Sequence, residues 1–350
     1  MYDEILSSIG RTPLVKLSRV FGDCDFRLFA KLEGFNPGGS IKDRAAMNII
    51  NRALEAGVIG PNTTIIESSS GNMGIGLAQV CAYHKMRFIC VIDPKTTQAN
   101  IQILRAYGAE IDYVSEPDPV TGEFLKARID RVRQLIDTIP DSYCPDQYSN
   151  PDNFRAHYQT MAEITSELNG DVDFLFCATS TCGTMRGCSE YVHDRELKTN
   201  IIAVDAVGSV IFGGRSAKRL IPGHGAAVRP KLHRPDLTAR CVHVTDLECV
   251  VGCRRLVREE AILAGGSSGA VLMAIEHLKS ELPPGSSCVA IFPDRGERYL
   301  DTIYSDRWVA ANLGQICETC AEWSSYFTPA LTVEPAIAAS FNLACLEHAK

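Results

Sequence analysis

One feature constrains the fold of this chain more than any other: short apolar β-type runs alternate with longer runs of helical period over most of its length. The stretches RLFAKLE (27–33), TTIIE (63–67), RFICVID (87–93) and AEIDYVS (109–115) read as strands. So do DFLFCAT (173–179), NIIAVDAVG (200–208), RCVHVTD (240–246) and SCVAIFPD (287–294). Between them the periodicity predicts a helix capped by Ser40 and stopped at Gly57, another from about Ile75, and others near 97–107, 122–137, 152–168, 246–263 and 268–281. Strand–helix alternation of this kind implies an α/β fold with mainly parallel sheets covered on both faces. With 350 residues the chain exceeds one ordinary core, so two domains or one large α/β unit are expected.

A net charge of −7 argues against a nucleic-acid or anionic-membrane surface. No apolar run is long enough for a transmembrane helix, and the N-terminal MYDEILSSIGRTPLV carries early acids rather than the basic start of a signal peptide. A cytoplasmic protein is therefore expected. Of the 14 cysteines, Cys81, Cys90, Cys177, Cys253 and Cys288 lie inside apolar patterns and read as small buried hydrophobes. Cys317 and Cys320 are close, but they lack a second pair or clustered histidines, so no metal site is expected. The stretch 316–350 has weak periodicity and reads as an appendage or partly ordered extension.

Five turns carry candidate chemistry. In NPGGSIKDRAA (36–46), Lys42 falls at a helix start, where the helix dipole disfavours an ammonium. The free amine is the form that condenses with an aldehyde or ketone. ESSSGNMGIGLA (67–78) and ATSTCGTMRG (178–187) each place hydroxyls and backbone N–H groups at a helix N-terminus, where an anion fits. LAGGSSGAVL (263–272) offers the neutral hydroxyl of Ser267, and FPDRGERYL (292–300) offers Arg295 at the end of a strand. Taken singly, each also fits a plain loop or a solvated surface side chain.

In this order the turns resemble the cysteine synthase-like, fold type II family of pyridoxal-phosphate enzymes, which IGRTPLVKL (9–17) and NPGGSIKDR (36–44) match closely. The resemblance runs from about residue 5 to 308. It implies a tryptophan synthase β-like fold of two three-layer α/β/α domains: a larger one from 1–43 and 149–315, and a smaller mobile one from 44–148. A homodimer is implied as well. By resemblance Lys42 carries pyridoxal phosphate as a Schiff base and moves the Cα proton, and Asn72 bonds the cofactor's ring oxygen. Ser180, Thr181, Cys182, Gly183 and Thr184 hold its phosphate, and Ser267 faces the pyridine nitrogen. The turn Ser69, Ser70, Gly71, Asn72, Met73, together with Gln147, holds the substrate carboxylate. A neutral partner such as Ser267 favours loss of a β-substituent, hence β-replacement through an aminoacrylate.

The sequence departs from ordinary cysteine synthases at informative places. Their GTGGT is here STCGT (180–184), their Thr after Ser-Gly-Asn is Met73, their Phe after the glutamine is Tyr148, and their PSSGERY is PDRGERY (293–299). These departures, with VDAVGSVIFG (204–213), GCRRLV (252–257) and AGGSSG (264–269), resemble a narrower branch, the N-(2-amino-2-carboxyethyl)-L-glutamate synthases of siderophore biosynthesis. That branch joins O-phospho-L-serine to L-glutamate in making a precursor of L-2,3-diaminopropionate. A phosphate leaving group and a dicarboxylate nucleophile both call for cations and donors, and Arg295, Tyr148 and Ser180 are the candidates. A cysteine synthase acting on O-acetylserine or O-phosphoserine with sulfide is the alternative. Intact Lys42, Asn72 and Ser267 weigh against a catalytically silent relative.

Overall fold

The computed structural model describes residues 2–119, 122 and 124–314. The 316–350 tail, with Cys317 and Cys320, lies outside the described residues. The strands are β1 (Leu14–Leu17), β2 (Arg27–Leu32), β3 (Thr64–Ser68), β4 (Phe88–Ile92), β5 (Glu110–Tyr113), β6 (Ser142–Tyr143), β7 (Phe174–Ala178), β8 (Asn200–Ala206), β9 (Arg240–Val244) and β10 (Ser287–Phe292). The helices are α1 (Lys42–Glu55), α2 (Asn72–His84), α3 (Gln98–Ala106), α4 (Phe124–Thr138), α5 (Pro151–Glu167), α6 (Gly183–Asp194), α7 (Asp246–Glu260), α8 (Gly266–Leu278) and α9 (Asp306–Leu313). Every strand expected from the sequence is present, and the architecture is α/β as expected. Among the described residues no helix is long and apolar enough to cross a membrane.

The strands form two sheets. One has the order β1-β2-β10-β7-β8-β9 and the other β5-β4-β3-β6. Among the strands of the described residues, only β1 runs antiparallel to its neighbour; the other strand pairings are parallel. β3, β4 and β10 are buried at every position, as strands covered on both faces are, and β4 accordingly reads as an unbroken apolar run. α7 and α8 cover one face of the larger sheet through Val250, Leu256, Ala270 and Leu272. α5 and α6 cover the other through Met161, Ile164, Met185 and Cys188. The smaller sheet lies between α1 and α2 (Ile49, Ile50, Leu77, Val80) and α4 (Val132, Leu135).

Local chemistry sets the helix starts. Thr245 caps α7 in a reciprocal pair with Glu248: the Thr245 N–H donates to Oε2 at 2.7 Å and the Glu248 N–H donates to Thr245 Oγ1 at 3.2 Å. Asn150 caps α5 ahead of Pro151. Ser40 does not occupy the cap of α1; Ile41 does. The reason is tertiary. Ser40 bridges Asp294, and the Ile41 N–H donates to the Pro293 carbonyl at 2.8 Å, which keeps the chain extended one residue longer. Ser40 Oγ still accepts from the Lys42 N–H at 3.2 Å. α2 starts at Asn72, ahead of the expected Ile75, with Gly71 at its cap.

α1 is tied down by a buried ion network. Arg44 donates from Nε and Nη2 to the two carboxylate oxygens of Glu33 at 2.7 and 2.8 Å. It also donates from Nη1 and Nη2 to Glu163 of α5 at 2.8 and 2.7 Å. Lys31 of β2, fully buried, reaches Glu163 at 3.1 Å and Glu167 at 2.9 Å. The network joins β2, α1 and α5 behind the turn that carries Lys42.

Candidate active site

The turn from Asn36 to Ile41 is shaped by close approaches. A Cβ at Gly38 would sit 2.6 Å from Asp43 Oδ1, and Gly39 has φ +86°, so both positions require glycine. The Gly38 N–H donates to Asp43 Oδ2 at 2.5 Å. Burial raises the Asp43 carboxyl to about 7 against that hydrogen bond. Lys42 therefore opens α1 from a backbone fixed on both sides.

The residues after β3, β7 and β10 leave the C-terminal ends of parallel strands, where α/β folds place ligands. Asp294 is the hub. It bridges Ser40, accepts from Asn72 Nδ2 at 2.7 Å and accepts from the Tyr299 hydroxyl at 2.5 Å. Arg298 donates to Asn72 Oδ1 and to the Gly38 carbonyl. The Gly265 N–H donates to the Asp294 carbonyl at 3.2 Å, which brings in the start of α8 and Ser267. The 180–184 turn joins from the other side, since the Cys182 thiol and Lys42 lie within electrostatic reach of each other. The lysine turn, Asn72, the 180–184 loop and Ser267 are thus assembled together.

The 180–184 loop is built for an anion. α6 opens at Gly183, so the N–H groups of its first turn have no intrahelical partner. Cys182 turns the chain with φ 65°, the left-handed region, where glycine would be strain-free. Asn153 steadies the loop from α5, donating to the Gln147 carbonyl at 2.6 Å and to Thr181 Oγ1 at 3.3 Å; its own Oδ1 has no partner. His157 lies beneath, 3.4 Å from Thr184 Oγ1, and burial drives its pKa well down, so the ring is neutral.

The 69–73 turn is likewise ordered. Ser69 Oγ accepts from the Gly74 N–H at 2.9 Å, and Asn100 Nδ2 donates to the Ser70 carbonyl at 3.0 Å. A Cβ at Gly71 would meet nothing within 4 Å, so open space lies beside the helix start. Met73 is different: its side chain packs in the apolar core of the smaller sheet. Gln147 is buried. The Tyr148 hydroxyl is desolvated, which raises its pKa, and the Arg128 guanidinium opposes that rise. Arg295 joins the lysine turn through its backbone, its N–H donating to the Gly39 carbonyl at 3.4 Å. It is exposed, donates from Nε to the Gly34 carbonyl at 2.7 Å and stands over Phe35. Arg298, three residues on, is the arginine of this turn that bonds Asn72.

Sequence reading missed Arg128 as well. It lies on α4 in line with Val132 and Leu135, a cation on an apolar stripe, and that spacing is the signal that marks it. Its Nε is 3.2 Å from Asp93 Oδ2, and its Nη1 has no hydrogen-bond partner.

Part of the Lys42 residue remains accessible, yet burial of the amine lowers its pKa to about 8, slightly opposed by Cys182. No ion pair or hydrogen bond holds the Lys42 ammonium among the described residues. The reactive amine fraction therefore falls about tenfold per unit below that value. Covalent uptake of pyridoxal phosphate by apo-protein, followed by absorbance, is expected to accelerate with pH and level off just above pH 8. A rate still climbing at pH 10 would place the amine in water-like surroundings.

These residues fit pyridoxal phosphate: a buried, unpaired amine, an anion cradle at the start of α6 where the Gly183 N–H donates to Thr181 Oγ1 at 3.4 Å, and hydroxyl and amide groups between them. Residues 5–294 match the pyridoxal-phosphate dependent enzyme family. The chain is 45% identical over 312 residues, 88% of its own length and 91% of the relative's, to an N-(2-amino-2-carboxyethyl)-L-glutamate synthase of Cupriavidus metallidurans. Among solved structures it resembles an O-acetylserine dependent cystathionine β-synthase from Helicobacter pylori, with TM-score 0.81 and 34% identity over 87% of this chain and 99% of that one. It also resembles O-acetylserine sulfhydrylase isoform 3 from Entamoeba histolytica, with TM-score 0.81 and 31% identity over 87% and 92% of the two chains. Both the assembled turns and the extent of these matches lead to one conclusion: the chain belongs to the pyridoxal-phosphate dependent enzymes and is related to the cysteine synthases among them.

Proposed function

We propose that the chain catalyses β-replacement on O-phospho-L-serine with L-glutamate as nucleophile, releasing phosphate and forming N-(2-amino-2-carboxyethyl)-L-glutamate. The observation that carries this reading is Arg128, a largely buried guanidinium with an unused Nη1, within electrostatic reach of Tyr148 and of Cys90. Cys90 in turn bonds the Ser69 carbonyl at 3.0 Å. A buried cation with spare donors beside a carboxylate-binding turn suits a phosphate leaving group better than a neutral acetate ester. The name borne by the Cupriavidus relative, a synthase of N-(2-amino-2-carboxyethyl)-L-glutamate, supports the same product.

Bound pyridoxal phosphate supplies the electron sink that lets the Cα proton and the Cβ substituent of an amino acid depart. The chain's own groups do the rest. Lys42 Nζ, neutral above about pH 8, takes the proton from Cα and later returns it. Ser69, Ser70 and the first N–H groups of α2 hold the substrate carboxylate. Thr181, Gly183 and Thr184 would hold the cofactor phosphate, Ser267 would stand at its ring nitrogen, and Tyr148, Arg128 and Ser180 would receive the leaving phosphate.

The test supplies the holoenzyme with O-phosphoserine and equal glutamate and sulfide, and weighs the product. The expected product is the glutamate adduct with one phosphate released; cysteine alone would overturn the assignment. Arg128→Met is expected to raise KM for O-phosphoserine roughly 10–100-fold while changing KM for O-acetylserine much less.

A further inference from the structure

We propose that Asp205, Cys241 and His243 form a binding site for a divalent cation of the Zn2+ class, close to the 180–184 loop but away from Lys42 Nζ. β8 and β9 pair in parallel with Asp205 opposite His243 and Ala203 opposite Cys241. Cys241 and His243, two residues apart on β9, share one face of the sheet, and Asp205 stands beside them on the neighbouring strand. A carboxylate oxygen, the thiol sulfur and a ring nitrogen all lie within 4.8 Å of one another. A tetrahedral ion with bonds of about 2.0–2.3 Å would hold such atoms closer still, so shifts of about 1 Å complete the site.

A second observation points to a ligand. Asp205 is fully buried. Its Oδ1 accepts from the Ala206 N–H at 2.9 Å, but its Oδ2 has no hydrogen bond of regular geometry. The Ser209 and Thr179 hydroxyls and His243 favour the ionised form, yet burial outweighs them and raises the carboxyl pKa. A buried carboxylate oxygen without a partner is costly, and a cation removes that cost. His224, buried with both ring nitrogens unpartnered, lies within electrostatic reach of His243 and extends the polar pocket.

The donor set selects the ion. A thiolate and an imidazole favour Zn2+ over Mg2+ or Ca2+, which take oxygen ligands. On binding, the Cys241 thiol gives its proton to solvent and its sulfur lone pair to the metal, while an Asp205 carboxylate oxygen and a His243 ring nitrogen each donate a lone pair. Two anionic ligands and one neutral one cancel the ion's charge. His243 is exposed, so the fourth position opens to water. β9 ends the six-stranded sheet. The ion would therefore pin an edge strand to β8, whose Val204 carbonyl accepts the Thr179 N–H at 2.8 Å just ahead of the 180–184 loop.

The experiment uses the full-length holoenzyme with Cys317 and Cys320 replaced by serine, so that any metal retained does not belong to that pair. One equivalent of Zn2+ per chain should survive gel filtration, and Co2+ in its place should show the visible ligand-field bands of a four-coordinate ion with sulfur bound. His243→Ala, which changes an exposed side chain, should weaken Co2+ binding at least about 10-fold. Cys241→Ser should abolish the sulfur-to-cobalt charge-transfer band. Retention of no metal, or spectra that neither substitution changes, would overturn the proposal.

Discussion

Lys42→Ala removes the visible absorbance of the reconstituted protein and lowers turnover at least about 10³-fold. The size follows from two losses at one atom: the covalent attachment of the cofactor and the base that works at Cα, the second alone typically contributing 10²–10⁴-fold. The fold is expected to survive. Lys42 stands at the first position of α1 with a lowered pKa, so at neutral pH the folded state holds its ammonium at a disadvantage. Because the folded pKa lies below that of the unfolded chain, this disadvantage is full below about pH 8 and fades as pH rises towards 10.5. Alanine removes it. The apo-form of the variant should therefore melt no lower than wild-type apo-protein at pH 7, as calorimetry would show, and a large drop would mean that Lys42 has a structural partner.

Arg44→Met carries the largest expected cost in stability. The substitution leaves Glu33 and Glu163 facing each other across a buried gap, with only Lys31 to balance Glu163. Removing one member of a buried ion group costs about 3–5 kcal/mol, since the remaining charges stay desolvated and unpaired. For a protein of 350 residues that corresponds to a fall in denaturation midpoint of roughly 4–7 °C. Arg44→Lys recovers little, because an ammonium cannot serve two carboxylates with paired donors. Arg44 and Lys31 also hold the Glu163 carboxyl at about 2, against burial. Its folded pKa is depressed, so its stabilising contribution is full above the ordinary value near 4.5 and disappears as pH falls towards 2. An unchanged midpoint in Arg44→Met would show that the network is energetically neutral.

The sheets were legible because their strands are buried on both faces and because the turns between them carry glycine for physical reasons. Gly38 leaves room for the Asp43 carboxylate and Gly39 adopts φ +86°, and both lie in the stretch that drew attention to Lys42. β1, β6 and α9 were not expected: β1 is mostly exposed at a sheet edge, β6 spans only Ser142–Tyr143, and α9 buries little beyond Val309. Side chains that close the site across long stretches of chain were harder to read. Asn72 meets Asp294 across 222 residues, and no local pattern announces that contact. The 293–299 motif was seen, yet which arginine faces inward depends on tertiary bonds. Arg295 is drawn outward by the Gly34 carbonyl, and Arg298 returns on the short 3-10 turn Glu297–Tyr299. Arg128 was hidden because a cation in line with an apolar stripe ordinarily extends its head to solvent.

The decisive measurement is reductive trapping. Holoenzyme reconstituted with pyridoxal phosphate is treated with borohydride, digested and sequenced by mass spectrometry. The expected result is one phosphopyridoxyl group per chain, on the peptide that carries Lys42. A label on another lysine, or none in fully reconstituted protein, would contradict the account.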